Sequence, residues 1–455
     1  MKKFIDYQGN KSGIIDFIIS GIHEYANNGD VILDIFAGSG AVSAALNDEY
    51  VVYSNDVEAY AYTLNSAIIM TPYFTKYNLK TIKKSIELNK LHLIAQENLS
   101  DSITNERKYI KEQNCEKIID LYKEHETVWN SQKITPSILR KNNEYNLFVR
   151  YYAGTYFGIE QAVEIDAIIK SLEKYEDEKN LLFACLFFAM NEAVFSRDGH
   201  MAQPLNFMKN SKRGFVSRKV SVVDRFLFKC NEFTENSYKV DNANKVFNVP
   251  FEKIVKNENV LENVDLIYAD PPYTDMQYSR YYHILNVARQ YNYPELTKTN
   301  SGYTSGLYTE GRYQSDLSKK SKAKDRLRLL MGVCQKYNIN LALSYAYPQN
   351  KKKQATDRYT VSIEELIDMA KEIFSADKVK VNQVKYSHAN NKNSKPKPVI
   401  EYLILCGENK NKNKTYDISL VKDNIQKIKP TNRNPIYNTH LYWSQKSYNI
   451  IDCLI

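Results

Sequence analysis

The chain has 455 residues, of which 43% are hydrophobic and 25% charged, and a formal net charge of +9. This composition is typical of a globular protein and excludes a disordered chain, while the length predicts two lobes or one core with a large insertion. The mild basic excess suits a polyanionic partner without requiring one. Six cysteines without a C-x-x-C pair favour a reducing compartment, and no apolar stretch is long enough to span a bilayer, so we expect a cytoplasmic protein.

The first part of the chain predicts a βαβ unit. Apolar residues at i, i+4 spacing between residues 13 and 25 indicate a helix, and residues 31–36 indicate a strand. A turn with two glycines leads to a helix that begins near Ala41, and residues 51–54 indicate a second strand. This pattern predicts a parallel sheet covered by helices, which is an α/β fold.

The pattern changes after this unit. Residues from about 71 to 175 indicate long, charged helices, whereas strand-like segments return at residues 264–269, 339–344, 379–384 and 399–405. The periodicity therefore predicts that an insertion of roughly 170 residues splits the sheet. We predict a sheet domain from residues 1–70 and 246–407, a mainly helical insertion at 71–245 and a C-terminal tail at 408–455.

A glycine turn follows the first strand. Residues 34–40 read Asp-Ile-Phe-Ala-Gly-Ser-Gly, so a ligand can approach the backbone without Cβ atoms in the way. A dinucleotide fingerprint would need a further glycine where Ser43 lies. The carboxylate of Asp34 also fits a cationic amino-acid ligand better than a pyrophosphate. A nicotinamide oxidoreductase is therefore disfavoured.

Asp56 comes at the end of the second predicted strand. A carboxylate at this place can accept both hydroxyls of an adenosine ribose. The alternative is that Asp56 caps the next helix, and Glu58 is a less favoured substitute for the ribose contact.

The most specific segment is Asp-Pro-Pro-Tyr at residues 270–273, directly after a strand that is predicted to be buried. Two prolines cannot continue the ladder and stiffen the loop, so the neighbouring polar groups are fixed in space. A transferase that acts on an aromatic amine needs such acceptors, since binding both amine protons frees the lone pair for attack. Asp270 and the carbonyl of Pro271 can supply them, and Tyr273 can stack on a base. The alternative is a strand-end turn with a capping aspartate.

These segments, together with Tyr-Gln-Gly-Asn-Lys at residues 7–11, resemble the DNA adenine methylases of the Dam-like, alpha-ordered group. The resemblance implies a Rossmann-like class I methyltransferase fold, S-adenosyl-L-methionine as cofactor and transfer of methyl to adenine N6. It also implies that the helical insertion is the target recognition region. Residues 191–199 only loosely match the family's glycine-rich Asn-Arg stretch, so the recognised DNA sequence is not carried over.

The resemblance also implies roles for individual residues. The catalytic residues would be Asp270, Pro271, Pro272 and Tyr273. The cofactor-binding residues would be Tyr7 and Lys11 at the amino-acid end, Asp34 on the ammonium, Phe36, Gly38 and Gly40 around the pocket, and Asp56 on the ribose.

The alternatives to adenine methylation are other methyl acceptors and a non-catalytic role. Carbon-5 cytosine methylation needs a thiolate, usually in a Pro-Cys pair, and no cysteine of the chain follows a proline. Asp rather than Ser before Pro-Pro-Tyr favours adenine in the family, which leaves cytosine N4 or RNA as the nearest alternative substrates. A non-catalytic nucleic-acid-binding protein of the same fold is disfavoured by the intact motifs.

Basic residues gather at the end of the predicted recognition region and indicate a duplex DNA partner. The predicted DNA contacts are Lys209, Lys212, Arg213, Arg218 and Lys219. Similar clusters lie at residues 319–328 and 351–353, and a solvated face is the alternative for each. His283 is a candidate for the base pocket, although a structural histidine is the simpler interpretation. The sequence leaves open whether a cognate restriction endonuclease accompanies the protein.

Overall fold

The computed structural model describes residues 4–5, 7, 9–70, 76–142, 144–197, 200–234, 243–300, 302–349, 356–388 and 397–410. The described residues up to Glu408 form one compact unit. The predicted tail therefore lies almost entirely outside the described residues. None of the described helices is both long and apolar enough to cross a bilayer.

Seven strands form the main sheet of the described chain. They are β1 (Val31–Asp34), β2 (Val51–Asn55), β3 (Lys245–Phe247), β4 (Leu266–Ala269), β5 (Asn340–Pro348), β6 (Val379–His388) and β7 (Lys397–Cys406). Their order across the sheet is β3-β2-β1-β4-β5-β7-β6. The first five are parallel neighbours, whereas β7 is antiparallel to both β5 and β6. The predicted Rossmann-like α/β fold is confirmed.

The helices, in chain order, are α1 (Ile15–His23), α2 (Ala41–Leu46), α3 (Ala59–Ile69), α4 (Lys76–Gln96), α5 (Ser100–Glu112), α6 (Cys115–Glu124), α7 (Pro136–Asn142), α8 (Leu147–Tyr151), α9 (Ile159–Ser171), α10 (Lys179–Ala193), α11 (Ser211–Arg218), α12 (Val222–Asn231), α13 (Phe251–Ile254), α14 (Glu258–Leu261), α15 (His283–Gln290), α16 (Lys320–Lys336) and α17 (Ile363–Phe374). The predicted helices near residues 13–25 and after Ala41 correspond to α1 and α2.

The central strands are apolar on both faces because helices cover both sides of the sheet. Ile32, Val52 and Leu266 pack in the same hydrophobic core as α1, α2 and α3. The alternate residues Leu33 and Ile267 pack in a second core with α13, α16 and α17. The period of two along a strand thus divides the sheet's side chains between two helical layers.

The regular secondary structure described between β2 and β3 is helical, apart from two isolated β-bridges. This helical region is continuous with the sheet, because one hydrophobic core includes residues of α9 and α10 as well as the sheet residue Ile32. The sequence analysis missed β3, which begins at Lys245, one residue before the predicted boundary. A strand of three residues at the sheet edge leaves no periodic pattern to detect. The region's role in target recognition stays a prediction.

Arg218 is buried in the helical region, and its prediction as a DNA contact is corrected. Its guanidinium donates hydrogen bonds to the Tyr122 hydroxyl at 3.0 Å and to the carbonyls of Tyr156 and Thr155 at 3.2 and 2.8 Å. The Tyr122 hydroxyl in turn donates to Glu106 at 2.7 Å. The side chain is only 6% exposed, so it cannot reach a phosphate. Its positively charged guanidinium therefore makes hydrogen bonds inside the protein.

Arg218→Ala is expected to destabilise the fold by roughly 3 kcal/mol, because buried acceptors lose their donors and the contacts of the guanidinium with aromatic rings are lost. Urea unfolding measures the change. Lys212→Ala, at an exposed position of the same helix, is the matched control and should stay within about 0.5 kcal/mol of wild type. An unchanged urea midpoint for Arg218→Ala would contradict the structural role.

Candidate active site

A cleft lies where the carboxyl ends of β1, β2 and β4 meet. The strand order reverses between β1 and β4, and ligands of open α/β sheets bind at such a switch point. The cleft has a volume of about 1150 Å³, including space open to solvent. The predicted site residues that line it are Tyr7, Lys11, Asp34, Phe36, Gly38, Asp56, Asp270, Pro271, Pro272 and Tyr273. The fold thus brings together three distant segments of the sequence.

Asp34 is the last residue of β1 and is 1% exposed. Its Oδ2 accepts a hydrogen bond of 2.7 Å from the Ser43 hydroxyl on α2, whereas its buried Oδ1 accepts none from the described residues. Burial is the main cause that raises the pKa of Asp34 to about 7; the Ser43 hydrogen bond opposes the shift, and the nearby carboxylates of Asp270 and Asp56 add to it. A buried acceptor without a donor is a place for a cationic ligand group.

Asp56 holds the glycine turn to the end of β2. Its Oδ2 accepts from the backbone N–H of Gly38 and its Oδ1 from that of Glu58, both at 2.9 Å. Asp56 does not cap α3, because the N-cap residue of that helix is Glu58 and the helix start has no side-chain cap hydrogen bond. A carboxylate oxygen can accept a second hydrogen bond, so these contacts do not exclude the ribose contact. Glu58 lines the same end of the cleft, and burial raises its pKa to about 7.

Gly38 lets the aromatic ring of Tyr7 approach the turn. The residue has a φ of +51°, and a Cβ there would lie 2.9 Å from the Tyr7 hydroxyl. Tyr7 itself stacks on Tyr282, with 5.1 Å between the ring centroids. Phe36 packs against Phe251 on the other side of the turn, at 5.5 Å. The turn thus has no Cβ at Gly38, where the Tyr7 ring lies close, and the Phe36 ring packs on Phe251.

Gly40 differs from the prediction, because it is not among the residues that line the cleft. It precedes α2 with a φ of +76°, and a Cβ there would lie 2.8 Å from both Asn65 Oδ1 and Ile68 Cδ1. A side chain at this position would push α2 away from α3. Gly40 therefore supports the cleft through helix packing, without contact with a ligand in it.

Lys11 joins Asp270 to Glu401 at the floor of the cleft. Its Nζ lies 3.1 Å from Asp270 Oδ1 and 2.8 Å from Glu401 Oε1, which also accepts a 2.6 Å hydrogen bond from Ser344. Burial would lower the pKa of Lys11, but the two carboxylates raise it above its usual value. Burial raises the pKa of Asp270 to about 6, although Lys11 opposes the shift. Lys11 thus favours the ionised form of Asp270, whereas burial disfavours it.

The Asp-Pro-Pro-Tyr loop starts where β4 ends, as the sequence predicts. Tyr273 is 8% exposed because other side chains cover its ring. The ring stacks on Tyr359 at 5.9 Å and 14°, and meets Tyr345 at 5.6 Å and 61°. The Lys11 ammonium lies 5.8 Å from the centroid. The tyrosine predicted to stack on a base thus already has an aromatic partner.

The other predicted DNA contacts lie on the surface. Exposed side chains are those of Lys209, Lys212, Arg213 and Lys219. None of these four forms an ion pair with another described residue. By contrast, the basic residues at 319–328 are largely paired with acids, for example Arg326 with Asp316 at 2.9 Å and Arg328 with Glu372 at 2.7 Å. The cluster at residues 351–353 lies outside the described residues.

His283 is buried outside the cleft, so the structure gives no support to a role in the base pocket. It is 1% exposed and is surrounded by the rings of Tyr152, Tyr156 and Tyr308. Burial, and then Arg312, lowers its pKa to about 3, so the imidazole is neutral. It does not line the cleft.

Glu401 and Ser344 are the site residues to which the sequence analysis gave no role. A signal for Glu401 does exist, because a glutamate in the middle of an apolar strand needs a buried partner. The identity of that partner has no local signal, since Lys11 is 390 positions away. Ser344 lies within a fully buried strand and has no distinguishing pattern.

The elevated pKa of Asp34 predicts a pH dependence of stability. The folded state keeps a proton on this carboxyl that the unfolded chain has already lost, so its contribution is full below about pH 4 and disappears as pH rises through about 7. Asp34→Asn should flatten the fall of unfolding free energy across this window by up to about 1.4 kcal/mol per pH unit. Urea unfolding of the ligand-free protein from pH 4.5 to 7.5 tests this. Asp48→Asn, at an exposed position, is the control, and equal slopes for wild type and Asp34→Asn would contradict the prediction.

Comparison with known proteins agrees with the fold and the cleft. Residues 7–182 match the family model for D12 class N6 adenine-specific DNA methyltransferases. This match includes the glycine turn and ends before Asp270.

Three relatives are similar over longer segments. Type II methyltransferase M.FokI of Planomicrobium okeanokoites is 25% identical over 295 residues, which are 63% of this chain and 37% of that protein. Modification methylase LlaI of Lactococcus lactis subsp. lactis is 24% identical over 426 residues, or 90% of this chain and 56% of the relative. Modification methylase StsI of Streptococcus sanguinis is 24% identical over 447 residues, or 94% and 56%. The chain thus spans about half the length or less of these relatives. The chain is thus similar to the D12 class N6 adenine-specific DNA methyltransferases in residues 7–182 and to modification methylases over longer segments, which agrees with the resemblance found in the sequence.

Proposed function

We propose that the protein transfers a methyl group from S-adenosylmethionine to the N6 amino group of adenine in duplex DNA. The observation that carries this proposal is that Asp270 and the following Pro-Pro-Tyr line the same cleft as Asp34 and the glycine turn. A rigid set of amine acceptors therefore lies beside a pocket with a donor-free carboxylate oxygen.

The residues of the cleft fit the cofactor. Asp34 Oδ1 has no donor among the described residues and suits the ammonium of the amino-acid end. Asp56 and Glu58 line the same cleft, and their carboxylates suit the ribose hydroxyls, which need acceptors. Gly38 keeps the turn free of a side chain that would clash with Tyr7. S-adenosylmethionine supplies the methyl group, which its sulfonium activates for transfer.

Asp270 is proposed to hold the target amine. Its carboxylate and the Pro271 carbonyl accept the two amine protons, which favours the pyramidal geometry that frees the nitrogen lone pair. Lys11 stabilises the ionised form of the carboxylate, against the larger effect of burial on its pKa. Because Lys11 is itself fixed by Glu401, the carboxylate is also held in one position. Fixed orientation of reacting groups lowers the barrier to transfer.

The surface of α11 is proposed to contact the DNA. Its inner side is packed through Phe215 on Phe207, at 5.3 Å, while Lys212 and Arg213 point to solvent. The segment that leads to Phe207 is joined to the cleft's rim, because Met201 N–H donates to the Tyr281 carbonyl at 2.6 Å and Tyr281 contacts Tyr278 of the cleft. A duplex held on these cations would lie near the cleft, and a flipped adenine could reach it. Because the cysteines form no disulfide or zinc pattern, we also propose that the protein acts on DNA in the cytoplasm.

Nucleoside analysis tests the reaction directly. The purified protein is incubated with duplex DNA and labelled S-adenosylmethionine, and the digested nucleosides are identified by mass spectrometry. We expect N6-methyladenine from wild type and none from Asp270→Ala, which should still bind S-adenosylhomocysteine in calorimetry because Asp270 holds the amine. Asp275→Ala, at an exposed position after the same loop, is the control and should remain active.

The products also separate the alternatives. N4-methylcytosine alone would sink the adenine assignment and leave the amino-methylation chemistry standing. Methylation of RNA alone would overturn the DNA substrate. Activity of Asp270→Ala within a few-fold of wild type would remove Asp270 from the catalytic site. Sequencing of methylated DNA from expressing cells would give the recognised site and its context.

A separate prediction concerns the binding of DNA to the surface of α11. The double variant Lys212→Ala/Arg213→Ala should weaken DNA binding and reduce the slope of log K against log salt by about 1 for each lost phosphate contact. Fluorescence anisotropy at several salt concentrations measures this slope. Lys83→Ala/Lys84→Ala removes two exposed lysines of α4 and should keep the wild-type slope. The reverse result would place the DNA on α4.

A further inference from the structure

A base that stacks on Tyr273 needs an open ring face. Only 8% of Tyr273 is exposed, which is far less than a stacked purine would cover. At least one of the groups that cover the ring must therefore move before adenine can occupy this place.

Three of the side chains that contact the ring of Tyr273 differ in their freedom to move. Lys11 is held by two carboxylates. Tyr345 is 1% exposed on the central strand β5, and its hydroxyl donates to the Val361 carbonyl at 2.7 Å. Tyr359 is half-buried and lies in the short segment before α17, next to the exposed Arg358. Tyr359 is thus the neighbour that can leave at the lowest cost.

The backbone around Tyr359 is attached to the catalytic loop independently of the ring. Thr360 N–H donates to the Tyr273 carbonyl at 3.1 Å, and Asp275 N–H donates to the Arg358 carbonyl at 2.9 Å. The ring itself contacts Tyr273 and, at 4.9 Å, Tyr347. Rotation about the side-chain torsions can therefore move the ring while both backbone hydrogen bonds remain.

We propose that Tyr359 is a displaceable aromatic cap of the base site. Its ring stacks on Tyr273 in the DNA-free protein and gives up this place when the target adenine enters. This inference rests on the proposed function. Tyr273 then exchanges its stack with the Tyr359 ring for a stack with the adenine. A group that stacks only weakly on Tyr273 therefore does not displace the cap when it enters the cleft. The cap keeps the catalytic tyrosine covered until a base replaces it.

Paired binding measurements test the cap. Dissociation constants are measured with S-adenosylhomocysteine present, for one duplex that carries the mapped target adenine and for the same duplex with an abasic target position. The ratio of the two constants isolates the contribution of the base. Tyr359→Ala should shift this ratio about 2- to 10-fold in favour of the adenine duplex, which is the size expected for one aromatic pair. Tyr359→Phe keeps the ring and should keep the wild-type ratio.

Tyr337→Ala is the matched control, because Tyr337 is also a half-buried tyrosine packed on the same hydrophobic core. It should leave the ratio unchanged. A shift of Tyr359→Ala toward the abasic duplex would mean that the ring stays and sandwiches the base, which overturns the cap. An unchanged ratio would make Tyr359 purely structural and would overturn it as well. Failure of wild type to methylate any DNA would instead overturn the proposed function.

Discussion

The buried ammonium of Lys11 is the interaction on which the site depends. It links the turn before α1 to the end of β4 through Asp270 and to β7 through Glu401, and Ser344 adds β5. One cation shared by two carboxylates leaves the group with a net negative charge. Removing the cation would leave both carboxylates unpaired in a buried place, which is far more costly than losing a surface ion pair. The position of Asp270 and the closure of the sheet are therefore coupled.

The same negative charge extends through the cleft. Asp34, Asp56 and Asp270 are close enough that the latter two raise the pKa of Asp34. A cleft that contains several carboxylates and few cations is electrostatically suited to a positively charged ligand. S-adenosylmethionine carries positive charge at both its ammonium and its sulfonium. Under the proposed function, the positive charge of the ligand would therefore offset the repulsion among these carboxylates.

The helical region uses carboxylates in another way. Glu106, Glu164 and Asp166 each accept backbone N–H groups at the start of a helix, respectively α9, α12 and α8. A carboxyl oxygen at a helix N-terminus satisfies backbone donors that have no partner within the helix. These contacts join segments that share a core with the sheet. The exposed cations of α11 therefore lie on a helix that is fixed to this core, and the buried Arg218 contributes to that attachment.

The sequence alone determined what depends on local pattern. Period-two strands, the glycine turn after Asp34 and two prolines after β4 predict the fold and most of the cleft, because each restricts the backbone at its own position. Partners and burial were decided only by the tertiary structure. The pairing of Lys11 with Glu401, the burial of Arg218 and the covering of Tyr273 by Tyr359 join residues that are far apart in the chain. No local pattern encodes such contacts, since they depend on how strands and helices of different segments pack together.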